Sequence, residues 1–198
     1  MRKFKVAIMV GSNRRESINR KLARALARLA DGRFVANFVQ IDDLPMYNQD
    51  LESPLPAGVT RFKSEIEQAD ALLFVTPEHN RSLPAVLKNA IDWGSKPMDQ
   101  NVWRGKPAAI TGTSPGAIGA AVGQQHLRQI LGILGSLVMG GEAYVTFKAG
   151  LIDDTGSIAD EGVRKFLLAF VDQFATLLAA STAAMRQPAL PELLRVTP

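Results

Sequence analysis

The sequence predicts a doubly wound α/β sandwich of three layers, with a five-stranded parallel sheet of order 2-1-3-4-5 and helices on both faces. Three observations carry this expectation. Apolar runs of strand length alternate with amphipathic runs of helix length over most of the 198 residues, the pattern of a parallel sheet with crossover helices. The third apolar run, Ala71-Leu72-Leu73-Phe74-Val75-Thr76, is almost unbroken, as a strand covered on both faces must be. Polar loops follow the first, third and fourth apolar runs, and the carboxyl ends of strands are where open parallel sheets bind ligands.

The first strand is Phe4–Val10. Its basic start resembles an export signal, but the apolar run is short and leads into a polar glycine loop rather than a cleavage site, so the protein is expected to be cytoplasmic. A helix over Ser17–Ala30 follows, with Ile18, Leu22, Ala25, Leu26 and Leu29 at helical spacing. Its Arg20, Lys21, Arg24 and Arg28 fall mostly on other faces and are read as a solvated surface. Phe34–Ile41 is the second strand, and the proline-bearing stretch 42–57 is a surface connection to a helix at about Gly58–Gln68. Pro77 stops the third strand. The next helix, Ser82–Trp93, is expected to be capped by Ser82, with Pro84 in its first turn and Val86, Leu87, Ala90 and Ile91 on its apolar face. Pro107–Thr111 is the fourth strand, Gly119–Leu134 a helix and Val138–Phe147 the fifth strand. A last helix from Asp160 to Ala180 carries Val163, Phe166, Leu167, Phe170, Val171, Phe174 and Leu177, all assigned to the core. Residues 1–180 are thus expected to form one domain. Residues 181–198 are expected to form a tail, mobile or packed on a neighbouring subunit.

Composition narrows the function. Hydrophobic residues at 46% and charged residues at 21% describe a globular protein, and no apolar run approaches the roughly 20 residues of a membrane span. The absence of cysteine excludes disulfides, a thiolate nucleophile and thiolate metal ligands. With two histidines and no clustered carboxylates, no metal site is expected. A net charge of +4 suits anionic ligands. Nucleic acid is not expected as a partner, because no aromatic residues interleave with the arginines of the first helix.

Three loops concentrate the chemistry. Gly11-Ser12-Asn13-Arg14-Arg15-Glu16-Ser17-Ile18-Asn19 offers hydroxyls, an amide, guanidinium groups and the free N–H groups of a helix start, a donor set suited to phosphate. It is neither a G-x-x-x-x-G-K-[ST] nor a G-x-G-x-x-G motif. Pro77, Glu78, His79, Asn80 and Arg81 lie at the carboxyl end of the third strand. The fourth strand leads into Gly112-Thr113-Ser114-Pro115-Gly116, whose glycines let a backbone approach a flat ligand. Gly119 and Gly123, one helical turn apart, equally suit helix packing. A phosphate end and a flat end together imply a mononucleotide carrying a ring.

These residues resemble the NAD(P)H-dependent FMN reductase family of flavodoxin-like proteins, in the branch of bacterial quinone and chromate reductases. Gly11, Ser12, Arg14, Ser17 and Asn19 match G-S-x-R-x-x-S-x-N. Pro77, Glu78 and Asn80 match P-E-Y-N, with Leu87–Trp93 as the L-K-N-A-I-D-W helix; a hydroxyl- and glycine-rich loop at Thr113–Gly119 leads to His126–Gln129 as H-L-R-Q. The resemblance implies FMN as cofactor and NADPH or NADH as electron donor. It implies phosphate contacts from Ser12, Arg14, Ser17, Ile18 and Asn19, and ring contacts from Pro77, Glu78, His79, Asn80, Thr113, Ser114 and Gly116. Hydride would pass to bound flavin and then to quinone, free flavin or a similar acceptor in ping-pong fashion, with no catalytic side chain. The family also implies a homodimer or homotetramer, and the helix bearing Leu127, Ile130, Leu131, Ile133 and Leu134 is apolar over more than one face, a width that packing on both the sheet and another subunit would explain. The alternative is a flavodoxin-like electron carrier or regulatory flavoprotein without NAD(P)H turnover; such carriers are commonly acidic, and this chain is basic. The chain departs from the family's P-E-Y-N-Y-S at His79 and Arg81, so Arg81 is a candidate substrate contact. Trp93 and Trp103 are further candidates to cover the flavin, with packing the alternative for Trp93 because it ends an apolar helix.

Overall fold

The computed structural model describes residues 3–186. The strands are β1 (Phe4–Val10), β2 (Phe34–Val39), β3 (Ala71–Val75), β4 (Pro107–Ser114), β5 (Leu137–Val138) and β6 (Tyr144–Thr146). The helices are α1 (Ile18–Leu29), α2 (Ala57–Glu67), α3 (Ala85–Ser95), α4 (Ala121–Ile133) and α5 (Glu161–Arg186). The sheet runs β2-β1-β3-β4-β5 with every pairing parallel, the expected order.

Alternation along the central strands divides the core in two. Val6 and Ile8 of β1 and Leu73 and Val75 of β3 face α1 and α5, where they meet Leu22, Leu26, Leu167, Phe170 and Phe174. Ala7, Met9, Leu72 and Phe74 face the other way, onto Phe62 of α2, Leu87 and Ile91 of α3 and Leu127 and Leu131 of α4. Phe166 departs from its expected core position: at 43% exposed it lies beside the stripe, and Leu178 joins the stripe one turn beyond Phe174. The expected tail also begins too early, since α5 continues through residues 181–186; the rest of it, residues 187–198, lies outside the described residues.

The expected strand Val138–Phe147 is in fact two. β5 pairs Val138 with Ala108 and β6 pairs Tyr144 with Gly112, leaving two more residues on this edge than on β4 between the same points. The excess bulges out, and side chains from other elements satisfy its carbonyls. Arg128 of α4 donates to the carbonyls of Met139 and Gly141, Gln173 of α5 to Gly140 and Thr111 of β4 to Ala143.

The basic face of α1 also does more than meet solvent. Lys21 pairs with Asp154 at 3.0 Å, Arg24 donates to the Asp154 carbonyl at 2.8 Å and Arg28 to that of Thr155 at 3.3 Å, clipping the loop before α5 onto the helix. No described helix is long and apolar enough to cross a membrane.

Candidate functional site

The three chemistry-bearing loops leave one edge of the sheet from adjacent strands. The Gly11 N–H donates to the Val75 carbonyl at 2.9 Å and the Thr76 N–H to the Thr111 carbonyl at 3.0 Å, so the ladder continues one step past the strands. Thr76 then sits between two glycines that have no room for a side chain. A Cβ on Gly11 would lie 2.5 Å from the Thr76 hydroxyl oxygen, and one on Gly112 would lie 1.9 Å from the Thr76 carbonyl oxygen.

In the first loop Ser17 is buried and caps α1, its Oγ accepting the Arg20 N–H at 3.2 Å. Capping leaves the hydroxyl proton available to a ligand, because a hydroxyl both accepts and donates. Ser12 and Ile18 are half-buried; Asn13, Arg14 and Arg15 are exposed. Asn19 differs from expectation. Its side-chain amide is buried and closes on Thr113 of β4, donating to the Thr113 carbonyl and accepting the Thr113 N–H, each at 2.9 Å. That amide is therefore a brace between the first and third loops, and the residue's main-chain N–H, at the helix start, is a donor that the brace does not use.

The second loop is a tight turn. His79 and Ser82 exchange main-chain hydrogen bonds at 2.9 and 2.8 Å, and the two residues between them are both left-handed, Asn80 at φ 49° and Arg81 at φ 64°. Ser82 is thereby drawn out of its expected role as helix cap, and α3 starts from Pro84 instead. Glu78 is placed where no local pattern announces it. Its Oε2 accepts the N–H of Gly123 at 3.1 Å, in the first turn of α4, and its Oε1 accepts from Arg81 at 2.9 Å. A carboxylate suits the positive end of a helix, and α4 has no side-chain cap of its own. Arg81, the candidate substrate contact, is 70% exposed and ion-paired with Glu78. His79 and Asn80 are exposed on the turn.

In the third loop the Thr113 hydroxyl is buried and donates to the Val145 carbonyl of β6 at 2.7 Å, leaving little of this residue for a ligand. Ser114 Oγ accepts the Gly116 N–H at 3.1 Å, and Gly116 is exposed, with Ser114 Oγ 3.3 Å from where its Cβ would lie. Gly119 and Gly123 serve packing: a Cβ on the first would press on the Val145 backbone, and one on the second would lie 3.0 Å from the Ser82 carbonyl.

Trp93 and Trp103 do not cover these loops. Both are fully buried, with their indole N–H groups on the carbonyls of Pro45 at 2.7 Å and Ile91 at 2.9 Å. Asn89 and Trp93 of the L-K-N-A-I-D-W helix instead hold the 42–57 connection, Asn89 binding the Tyr47 N–H and the Pro45 carbonyl. Tyr47 in turn donates to Glu52 at 2.6 Å, a bond that pushes its hydroxyl pKa up to about 12. His126 sits next to the second loop, its Nδ1 3.1 Å from Ser82 Oγ.

Sequence reasoning overlooked a cleft of about 430 Å³ on the far side of the first loop. It shares Ser12 and Asn13 with that loop, and the rest of its wall comes from Arg20 and Arg24 of α1, from the end of β2 and the residues just past it, including Phe38, Gln40 and Asp42, and from Val10 of β1 and Val86 of α3. No residue of 76–82 or 113–118 lines it. Arg20 and Arg24 one turn apart, with an aromatic near the end of the neighbouring strand, were the available signal.

Comparison with known proteins gives concordant matches. The model of a family described as NADPH-dependent FMN reductase matches residues 4–150. A 2-hydroxy-1,4-benzoquinone reductase from Burkholderia sp is 50% identical over 173 residues, covering 87% of this chain and 94% of that protein. A quinone reductase from Pseudomonas putida is 50% identical over 175 residues with the same coverage of each. Among solved structures, the flavoenzyme NAD(P)H:(acceptor) oxidoreductase FerB from Paracoccus denitrificans superposes with a TM-score of 0.87 at 47% identity, over 90% of this chain and 98% of that one.

Proposed function

The chain belongs to the NADPH-dependent FMN reductase family, and from that premise we propose that FMN lies along the three loops, with its phosphate at residues 12–19 and its ring between residues 77–80 and 113–116. The chain is an oxidoreductase that works with FMN and NAD(P)H. When bound, FMN supplies a ring that takes hydride from the nicotinamide and gives electrons to an acceptor. The protein's share is to bind that ring, balance its charge and leave one face open.

The donor set fits such a group. Arg14 brings charge, Ser12 and Ser17 bring hydroxyl protons, and Ile18 and Asn19 bring the N–H groups of a helix start, which together suit a phosphate dianion. At the other end the groups on offer are largely main-chain. The His79 N–H and carbonyl are used within the turn, so Pro77, Glu78 and Asn80 face Ser114 and Gly116 as ring contacts. No side chain need exchange a proton with substrate. Donor and acceptor use one open face in succession, which predicts ping-pong kinetics with a quinone, free flavin or a similar oxidant as second substrate. The observation that carries the reading is the convergence of three loops, cationic at one end and main-chain-lined at the other, on adjacent strands locked by Gly11, Thr76 and Gly112.

The decisive experiment is anaerobic mixing of the FMN-loaded protein with NADPH or NADH. Flavin absorbance bleaches within seconds and returns on addition of a benzoquinone. If neither nucleotide bleaches it, the protein is a carrier rather than a reductase. A second copy of the chain completes the proposal: Ile133 and Leu137, 85% and 47% exposed, leave apolar surface at the end of α4, which supports a homo-oligomer through this face. Light scattering of Ile133→Lys gives a lower mass than the unmutated protein; equal masses exclude this face.

A further inference from the structure

Apart from Ser12, the cleft at the carboxyl ends of β1 and β2 is lined by no residue assigned above to FMN, and its walls are chemically specific. Phe38 is on the same face of β2 as the core residue Phe34 but lies past the core, leaving it 45% exposed. Arg20 and Arg24 approach from α1. Arg24 spends one guanidinium nitrogen on the Asp154 carbonyl; among the described residues, nothing bonds the guanidinium of Arg20. Asp42 stands exposed just past β2, whereas its neighbour Asp43 is paired with Arg61 at 2.9 Å.

We infer that this cleft binds an adenosine bearing a 5′-phosphate or diphosphate, its base stacked on Phe38, its phosphate against Arg20 and Arg24, and its ribose hydroxyls donating to Asp42. Each wall then has a use. Bases stack on aromatic rings and arginine planes, and a carboxylate past the second strand of a parallel sheet is well placed to accept from an adenosine ribose. The volume falls within the range of small-ligand sites, roughly 300–1,000 Å³. A simple inorganic anion would engage the arginines but leave Phe38 and Asp42 without a role. The inference rests on the proposed FMN site, because the cleft adjoins the flavin phosphate only through Ser12 and Asn13. Two molecules carry such an adenosine: the nicotinamide nucleotide, and FAD in place of FMN.

The test titrates FMN-loaded protein with AMP and with ADP by calorimetry, in the unmutated chain and in Phe38→Ala, Phe38→Tyr and Arg20→Glu. Saturable binding is expected, weakened about tenfold in Phe38→Ala and Arg20→Glu, the scale of one lost base stack or phosphate contact, and retained in Phe38→Tyr. A parallel rise in KM for NADH in the two weakened variants assigns the adenosine to the electron donor. Tighter retention of FAD than of FMN by the unmutated chain, lost in both variants, assigns it to the flavin. No binding of AMP or ADP, equal affinity in all four proteins, or equal loss in Phe38→Tyr overturns the inference. Flavin content and bleaching by NADPH are read on the same samples. A protein that holds FMN and bleaches but ignores AMP sinks the inference alone; one that does neither sinks the function beneath it.

Discussion

Asn19 and Thr113 form a closed pair of hydrogen bonds between α1 and β4, amide to carbonyl and main-chain N–H to amide oxygen, both 2.9 Å and both buried. The contact ties the helix that starts the first loop to the strand that starts the third. Asn19→Ala leaves two buried main-chain groups unpaired and is expected to cost about 2–6 kcal/mol, from roughly 1–3 for each unsatisfied group. Urea unfolding measures it. Asn19→Asp is expected to be at least as damaging, since its carboxylate would face the Thr113 carbonyl; full stability in either variant would remove the brace.

Glu78 caps a helix to which it is not joined in sequence. Glu78→Ala removes the acceptor for the Gly123 N–H and the partner of Arg81, and is expected to lower stability by about 1–2 kcal/mol, the value of a helix cap. Glu78→Gln keeps an acceptor oxygen and should recover more than half of that loss. If the two variants melt together, charge at the α4 terminus matters more than the hydrogen bond.

Two glycines with opposite surroundings make a matched pair. Gly112→Ala drives a methyl group into the Thr76 carbonyl and is expected to cost more than about 3 kcal/mol. Gly132 is on the exposed side of α4 with nothing within 4 Å of its would-be Cβ, so Gly132→Ala is expected to stabilise the chain by about 0.4–1 kcal/mol. Thermal melts of both decide; a tolerated Gly112→Ala would disprove the close crossing.

Tyr47 predicts an alkaline signature. Its hydroxyl pKa is raised from an ordinary 10.0 to about 12 by the bond to Glu52. Only the protonated phenol makes that bond. Its contribution to stability is therefore complete below pH 10.0 and disappears as pH rises through about 12. Tyr47→Phe should flatten the stability profile in that window and leave its shape unchanged at neutral pH. An unaltered alkaline profile would show that Tyr47 is not the group responsible.

The first loop separates binding from folding. Arg14 is exposed, so Arg14→Ala should leave the melting temperature of the flavin-free protein unchanged while weakening FMN retention by about tenfold, the loss of one charge-assisted hydrogen bond. Ser17→Ala should do both, costing about 1 kcal/mol as a lost cap. Equilibrium dialysis against FMN, beside melts of the flavin-free forms, distinguishes them.

The order of the sheet and the crossing points were legible because strand hydrophobicity and loop polarity are local properties. Phe4–Val10 and Ala71–Thr76 announce their burial in their own letters. What escaped notice depends on partners distant in the chain. The break between Val138 and Tyr144 is maintained by Arg128, Gln173 and Thr111, none of which marks the apolar stretch itself. The braces made by the Asn19 and Glu78 side chains were hidden because an amide and a carboxylate in a loop have no visible partner until β4 and α4 are folded beside them. The Asn80-Arg81 turn was hidden for another reason: left-handed backbone usually advertises itself with glycine, and here an arginine takes the position at a cost of about 1 kcal/mol.

Thr76, held between Gly11 and Gly112 with no space for a methyl group on either side, joins three crossings into one rigid hub. Sequence drift there is closed off, since enlarging either glycine would move all three loops together. The turn from His79 to Ser82 hangs outside the hub, with its tip exposed. On the proposed FMN site, substitutions at His79 and Arg81, the two positions where the chain departs from P-E-Y-N-Y-S, would change the surroundings of an acceptor and leave the hub unmoved.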